Sequence, residues 1–253
     1  MRRKKFWLSS AHRGFVNATL RQNTLAAYYN AYLNGADMIE TDARLTSDGV
    51  LIVNHDPTVT ACNEKGEEVT CVVSETASKT VCSFILSDNE KWGIQYVPTL
   101  EQVLTLAYHT GMIVNIDLKN GYQIAEQVAK LVLKCGMQGN VIYALNGCGM
   151  EGMKVILAVD PDARFIDKGI AFAESVKDYP ERGKRCFCYC NTNTIDEKTV
   201  SAIRSYGCLL ALISLDKNNF ETAIKFHPDM CEFLHESDFR AIEDNYFNKV
   251  ALY

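Results

Sequence analysis

Hydrophobic and polar positions repeat with two different periods along this chain. Short apolar or alternating runs predict strands, and the segments between most of them carry apolar residues at i, i+3 and i+4, which predicts helices. The strand-like runs are FWLSSA, DMIETD, VLIVNHD, MIVNIDL, NVIYAL, ARFID, CLLALISL and MCEFLHE. Gly111, Gly136 and Gly207 are expected to end helices. Alternation of strands and helices indicates parallel strands joined by crossover helices.

About eight strands in a chain of this length favour a closed (β/α)8 TIM barrel over an open doubly wound sheet. Residues 57–97 interrupt the pattern because they are polar, Thr-rich and without a clean period. We interpret this segment as a small insertion after the third strand. No internal repeat, linker or low-complexity run marks a second domain, so a single domain over residues 1–253 is predicted.

Composition narrows the possible partners. The 253 residues are 47% hydrophobic and 23% charged, with a formal net charge of −5, which argues against a nucleic-acid partner. No apolar run reaches the ~20 residues that span a bilayer, so stable membrane insertion is not expected. Ten cysteines without an export signal predict reduced thiols in a cytoplasmic protein. The sequence leaves the oligomeric state open.

Carboxylates stand at alternate positions of two predicted strands. Glu40 and Asp42 share one face of DMIETD, and Asp117 lies on the polar face of MIVNIDL, whose other face is purely apolar. The apolar face should meet the helices, so the polar face is expected to line the barrel interior. Three carboxylates from two strands are therefore predicted to converge near the C-terminal ends of the strands, where barrels place their active sites.

Buried carboxylates need positive charge, because without it they repel one another and take up protons. An all-oxygen ligand set would select one hard divalent cation, Mg²⁺ or Ca²⁺. The alternative is a salt-bridge network with Arg13, Arg44 and Lys119 and no metal. The spacing of the residues alone leaves both possibilities open.

Two histidines add proton-transfer capacity to the same end of the barrel. His12 and His55 each follow a predicted strand directly, and a histidine titrates near neutral pH. Arg13 and Lys119 carry positive charge suited to a phosphate. Two proton carriers, a hard cation and two basic side chains indicate phosphoryl-ester chemistry.

Five ordered blocks in the first half of the chain also carry a family resemblance. They are AHRG (11–14), NTLAAY (23–28), GADMIETDARLTSDGVLIVNHD (35–56), VPTLEQVL (97–104) and NIDLK (115–119). Together they resemble the glycerophosphodiester phosphodiesterase family, whereas any single block would be a weak signal. The second half resembles the family only through the order of its elements.

This resemblance implies a (β/α)8 barrel that hydrolyses glycerophosphodiesters, a small-molecule substrate, to glycerol 3-phosphate and an alcohol. By position, Glu40, Asp42 and Asp117 match the metal ligands of the family. His12 and His55 match its acid–base pair. Arg13 and Lys119 match its phosphate-binding residues.

Several positions depart from the family pattern. Arg21 and Gln22 replace a Pro-Glu pair, Asp117 replaces a glutamate, and the last strand ends in Leu-His-Glu-Ser instead of Thr-Asp. An aspartate at position 117 is similar to that of the sphingomyelinase D phospholipases. A phospholipase of the lysophospholipase D or sphingomyelinase D type, or a silent barrel that binds a phosphorylated ligand, is therefore the alternative function.

Overall fold

The computed structural model describes residues 7–179 and 181–242. The basic start of the chain, with Phe6 of the first predicted strand, lies outside these residues. The strands are β1 (Leu8–Val16), β2 (Met38–Leu45), β3 (Leu51–Val53), β4 (Thr58–Cys62), β5 (Glu68–Val72), β6 (Ile85–Ser87), β7 (Gln95–Tyr96), β8 (Ile113–Leu118), β9 (Val141–Ala144), β10 (Arg164–Lys168), β11 (Cys186–Asn191), β12 (Leu209–Leu215) and β13 (Met230–His235). The helices are α1 (Leu25–Leu33), α2 (Ser78–Val81), α3 (Leu100–Thr110), α4 (Ala125–Lys134), α5 (Gly149–Val159), α6 (Gly169–Ser175), α7 (Arg182–Arg185), α8 (Glu197–Ser205) and α9 (Phe220–Lys225).

Eight parallel strands close into a barrel, which confirms the predicted (β/α)8 fold. Strand β1 pairs with β13 on one side and with β2 on the other, and β2, β8, β9, β10, β11, β12 and β13 complete the circle in that order. Side chains alternate between the interior and the helices along each strand. The lower interior is filled by apolar residues: Met38, Ile142, Ala144, Ile166, Phe187, Ala211 and Met230. This packing leaves space inside the barrel only towards the C-terminal ends of the strands.

One predicted strand does not belong to the barrel. Strand β3, from the run VLIVNHD, pairs antiparallel with the end of β2. The eighth barrel strand is β11, which carries the sequence CFCYCN. Cys186 and Cys188 of this strand are buried with the apolar residues of the main core.

The segment after β3 forms a small sheet of its own. Strands β5, β4, β6 and β7 pair in that order, and β4 to β7 are antiparallel to their neighbours. A separate apolar cluster stabilises this unit: Ile52, Val59, Ala61, Val73, Val81, Phe84 and Val97. The insertion thus has the small core that a segment of its length needs.

Local signals set the helix boundaries. Thr99 and Gln102 form a reciprocal capping box at the start of α3, and Gly111 ends that helix in the left-handed region at φ 71°. Gly136 and Gly207, with φ of 66° and 73°, follow the C-caps of α4 and α8. All three predicted helix ends are confirmed.

Candidate active site

A sharp bend in β1 shapes the first part of the site. Arg13 has φ 54° and Gly14 has φ 80°, and the pairing of β1 with β13 shifts register between Ala11 and Val16. A Cβ on Gly14 would lie 2.6 Å from the carbonyl carbon of Ala27, so only glycine lets α1 approach this closely. The bend holds the Arg13 backbone N–H 3.0 Å from Glu40 Oε2, to which it donates.

Three carboxylates converge at the barrel mouth as the sequence predicts. Glu40 and Asp42 project from one face of β2, and Asp117 lies directly beside Asp42 in the parallel register of β8. One oxygen from each residue lies within 4.8 Å of the others. All three side chains are buried, and Asp42 is fully inaccessible to solvent.

Two basic side chains contact the carboxylates. Arg13 Nε lies 3.1 Å from Asp42 Oδ2, and Lys119 Nζ lies 3.1 Å from Asp42 Oδ1 and 2.7 Å from Asp117 Oδ2. Arg44, the third cation of the alternative salt-bridge network, instead donates to the backbone carbonyl oxygen of His55. The network therefore contains two cations against three carboxylates.

Electrostatics at this cluster favour additional positive charge. Burial, followed by the charge of Asp42, raises the pKa of Glu40 well above its usual value. Burial also raises the pKa of Asp117. Burial acts to lower the pKa of Lys119, but the hydrogen bond and charge of Asp117 outweigh it and the net shift is upward. A divalent cation among these oxygens would relieve the repulsion.

The remaining oxygen atoms of the cluster are also suitable ligands for a hard cation. Asn115 Oδ1, two residues before Asp117 on the same face of β8, is buried without a hydrogen-bond partner among the residues that the structure describes, and the buried Asp117 Oδ1 lies on the same side with the Asn146 amide as a neighbour. Every donor atom in the cluster is oxygen, which suits Mg²⁺ or Ca²⁺ better than a thiolate-binding metal. Within the described ranges, Glu40, Asp42 and Asp117 are the group able to hold a metal ion.

The two candidate histidines make different contacts. His12 Nε2 is 4.0 Å from Glu40 Oε2. Burial, together with the charge of Arg13, lowers the pKa of His12 to about 4, so this imidazole is neutral at neutral pH. His55 follows β3, and its Nδ1 lies 2.8 Å from Asp56 Oδ1.

A buried polar relay anchors the carboxylate at the centre of the cluster. Asn23, held in the left-handed region at φ 57°, donates from Nδ2 to Asp42 Oδ2 at 2.8 Å. The Tyr28 hydroxyl donates to Asn23 Oδ1 at 2.8 Å and lies 2.7 Å from Thr41 Oγ1. The helical spacing of Tyr28 correctly indicates a core residue, but it gives no sign of this relay.

The first loop replaces the carboxylate that the family pattern would supply. Gln22 accepts from the Arg13 guanidinium at 3.3 Å, and Arg21 donates to the backbone oxygen of Leu86 in the insertion at 3.3 Å. Gln22 thus links the loop to Arg13 in the site, and Arg21 links the loop to the insertion.

A cavity of about 150 Å³ opens beside the carboxylates inside the barrel. Its lining residues are His12, Glu40, Asn115, Asp117, Ala144, Asn146, Ile166, Tyr189, Ile213 and Glu232. Sequence reasoning missed Glu232, a buried carboxyl on β13. The signal available was a single charge inside the otherwise apolar run Met230–Leu234. His235 and Glu236, which follow it, lie elsewhere: His235 is exposed and Glu236 pairs with Arg240 at 3.0 Å.

A larger groove of about 460 Å³ lies between α1, α3 and the insertion. Trp92 lines it and packs edge-to-face against Tyr29 at 6.4 Å. The groove shares no lining residue with the acidic cavity. Trp92 also packs against the small cluster of Leu20, Ala26 and Ala27.

Fold and site together define a class of protein: a (β/α)8 barrel with buried carboxylates and histidines at the C-terminal ends of its strands. The chain belongs to the glycerophosphoryl diester phosphodiesterase family, whose model matches residues 12–156. The resemblance that the sequence blocks carry is therefore confirmed.

Curated relatives match a little more than half of the chain. A glycerophosphodiester phosphodiesterase of Caldanaerobacter subterraneus subsp. tengcongensis is 32% identical over 146 residues, which make up 58% of this chain and 55% of that protein. A human protein named lysophospholipase D is 28% identical over 156 residues, or 57% of this chain and 49% of that protein. The match spans about half the length of these curated relatives.

Solved structures match the fold over nearly the whole chain. A glycerophosphodiester phosphodiesterase from Agrobacterium tumefaciens has a TM-score of 0.75 at 22% identity and covers 93% of this chain and 99% of its own. A phosphodiesterase from Oleispira antarctica, solved with its product sn-glycerol 3-phosphate, has a TM-score of 0.74 at 17% identity. The match covers 93% of this chain and 96% of that protein. None of the helices in the described part of the chain has the length and apolar character needed to cross a membrane.

Proposed function

We propose that this protein is a metal-dependent phosphodiesterase that hydrolyses glycerophosphodiesters to glycerol 3-phosphate and an alcohol. The observation that carries the proposal is the group of three buried carboxylates, Glu40, Asp42 and Asp117, with oxygens within 4.8 Å of one another beside His12. Membership of the family and the product complex of the Oleispira antarctica neighbour support the same reaction.

The three carboxylates are the proposed ligands of one divalent cation, Mg²⁺ or Ca²⁺. A cation held there supplies charge that polarises the phosphoryl oxygens and stabilises the transition state. Asp117 is one methylene shorter than the glutamate of the family pattern. Asp117 nevertheless lies at the same register level as Asp42, so both strands still present carboxylate oxygen to the ion.

Arg13 and Lys119 are the proposed phosphate-binding residues. Each lies 3.1 Å from an oxygen of Asp42, and this contact fixes their positive charge beside the proposed metal ligands. Arginine and lysine carry the donors that phosphate oxygens accept, so the two side chains would hold and orient the diester.

His12 and His55 are the proposed proton carriers. A hydroxyl of the glycerol moiety attacks phosphorus and gives its proton to one histidine, while the bond from phosphorus to the departing alcohol oxygen breaks. The other histidine donates a proton to that oxygen. Water then opens the cyclic glycerol phosphate to glycerol 3-phosphate.

We also propose that residues 1–253 form one domain with the insertion at about 57–97, and that the protein is cytoplasmic. The insertion packs its small core directly against β3, which pairs with barrel strand β2. The ten cysteines are present as thiols, as expected in a reducing compartment. The substrate in this proposal is a small molecule, and neither nucleic acid nor membrane insertion is required.

The test compares three proteins on three substrates. Wild type, His12→Ala and His109→Ala are given glycerophosphocholine, lysophosphatidylcholine or sphingomyelin, and phosphorus NMR identifies the products. His109 is exposed at the end of α3 and serves as the matched control. We expect glycerol 3-phosphate from glycerophosphocholine, with a loss of about 10²–10⁴-fold in His12→Ala only. Cleavage confined to a phospholipid would favour the lysophospholipase D or sphingomyelinase D alternative, and no cleavage by the folded protein would favour the silent barrel.

A further inference from the structure

Glu232 is a buried carboxyl on the inner face of the barrel. It lies on β13 at the same register level as Ser10 of β1, and only 7% of the residue is exposed. Its side chain lines the acidic cavity. Among the described residues, no donor hydrogen bonds to its carboxylate and no basic side chain forms a salt bridge with it. Burying a carboxylate without hydrogen-bond donors costs free energy unless a ligand supplies those donors.

The neighbouring cavity wall is also rich in acceptors. Asn115 Oδ1 is buried and unpaired with respect to the described part of the chain. Asn146 Oδ1 already accepts from the Tyr189 hydroxyl at 2.8 Å, so Tyr189 offers no free proton to Glu232. Glu232 lines the same cavity as Glu40 and Asp117, but it is not one of the three residues whose oxygens lie within 4.8 Å of one another. This part of the cavity wall is therefore complementary to a ligand that donates hydrogen bonds.

The size of the cavity limits what this ligand can be. A cavity of about 150 Å³ suits a small polar group such as a three-carbon polyol. With the phosphate held by Arg13 and Lys119, the glycerol side of the substrate enters the cavity and the departing alcohol remains outside.

We propose that Glu232 is a specificity-determining residue that accepts a hydrogen bond from the free terminal hydroxyl of the glycerol moiety. This inference rests on the proposed function and names its substrate class more narrowly. In a 1-acyl lysophospholipid that hydroxyl is acylated, so it has no proton to donate. Glu232 thus selects glycerophosphodiesters over lysophospholipids.

Two substrates that differ by one hydroxyl test this assignment. Glycerophosphocholine is compared with its 1-deoxy analogue, the phosphocholine ester of propane-1,2-diol, which keeps the hydroxyl next to the phosphate-bearing carbon. The values of kcat/KM from choline release are measured for wild type, Glu232→Met, Glu232→Gln and the control Glu236→Gln. Glu236 contacts Asn30 and Arg240 outside the cavity.

A hydrogen bond to a charged acceptor corresponds to a preference of about 10- to 100-fold, so wild type should favour glycerophosphocholine by that factor. Glu232→Met should lose the preference through a slower reaction with glycerophosphocholine alone. Glu232→Gln, which retains an acceptor oxygen, should keep part of the preference, and Glu236→Gln should keep all of it. An unchanged ratio in Glu232→Met, or an equal loss on both substrates, would overturn the inference.

Product binding separates this inference from the proposed function. Calorimetry compares glycerol 3-phosphate with propane-1,2-diol 1-phosphate and needs no turnover. If wild type cleaves no diester, the proposed function fails. The inference still stands if wild type binds glycerol 3-phosphate more tightly and Glu232→Met does not, and it falls if the two proteins bind both products alike.

Discussion

Arg44 donates two hydrogen bonds to the backbone carbonyl oxygen of His55, one of them from Nε at 3.0 Å. The contact ties the loop that carries this histidine to β2, the strand that also carries Glu40 and Asp42. Among the described residues, the hydrogen bonds of Arg44 go to this loop and not to the carboxylates of the cluster. Its guanidinium positions a candidate proton carrier.

Replacing Arg44 by Gln should slow turnover without weakening metal binding. The change removes the paired donors that fix the His55 loop, and a displacement of about 1 Å can lower a rate by about 100-fold. We expect kcat to fall by about 10- to 100-fold while the affinity for the divalent cation, measured by calorimetry, stays the same. Arg240→Gln, which alters a surface ion pair, is the control. Equal kcat values for the two variants would contradict a positioning role.

Removing one carboxylate of the cluster should abolish stabilisation by the cation. A ligand present at 100 times its Kd stabilises the folded state by about 2.7 kcal/mol, or roughly 5–10 °C in Tm for a domain of this size. Wild type should show this shift with Mg²⁺ or Ca²⁺, and Glu40→Gln should not. Glu151→Gln, on an exposed helical ion pair, should respond as wild type does. A full shift in Glu40→Gln would mean that the cation binds elsewhere.

Burial of His12 should make the folded state sensitive to acid. Its pKa is lowered to about 4 in the folded protein, against 6.5 for an exposed histidine. Between these values the unfolded chain takes up a proton that the folded state does not, so stability falls as pH drops from 6.5 towards 4. The loss should be on the order of 2 kcal/mol by pH 4.5.

Urea unfolding in EDTA at pH 7 and pH 4.5 measures this effect. The decrease in the free energy of unfolding should be smaller for His12→Gln than for wild type, since glutamine does not titrate. His109→Gln should behave as wild type does. Identical decreases in all three proteins would show that His12 has an ordinary pKa.

The polar relay behind Asp42 should contribute measurably to stability. Tyr28→Phe removes the hydroxyl that serves Asn23 and Thr41 and leaves these buried groups unpaired, which costs about 1–3 kcal/mol. Tyr108→Phe is the control because Tyr108 is exposed. Equal free energies of unfolding for the two variants would show that the relay adds nothing.

The fold followed from the sequence because parallel strands and amphipathic helices leave strong periodic patterns. Which eight strands form the barrel was harder to predict. Strand β3 is as apolar as a barrel strand, so its pattern wrongly suggests that it belongs to the barrel. The run CFCYCN resembles a cysteine cluster, so its pattern hides a barrel strand. Pairing partners are fixed by long-range packing, which a strand's own sequence does not encode.

The site was predictable where local alternation determines it. Glu40, Asp42 and Asp117 face the interior because their neighbours along the strand are apolar, and the structure brings them together. Their roles, and those of the two histidines, remain proposals. Glu232 was missed because its relation to the cluster depends on the closure of the last strand onto the first.

The most direct test of the central proposal is glycerol 3-phosphate release from glycerophosphocholine in EDTA, Mg²⁺ and Ca²⁺, by wild type and Glu40→Gln. Release that needs one of the two ions and is lost in the variant is the predicted result. Equal release in EDTA, or no release with either ion from folded wild type, would contradict the proposed function.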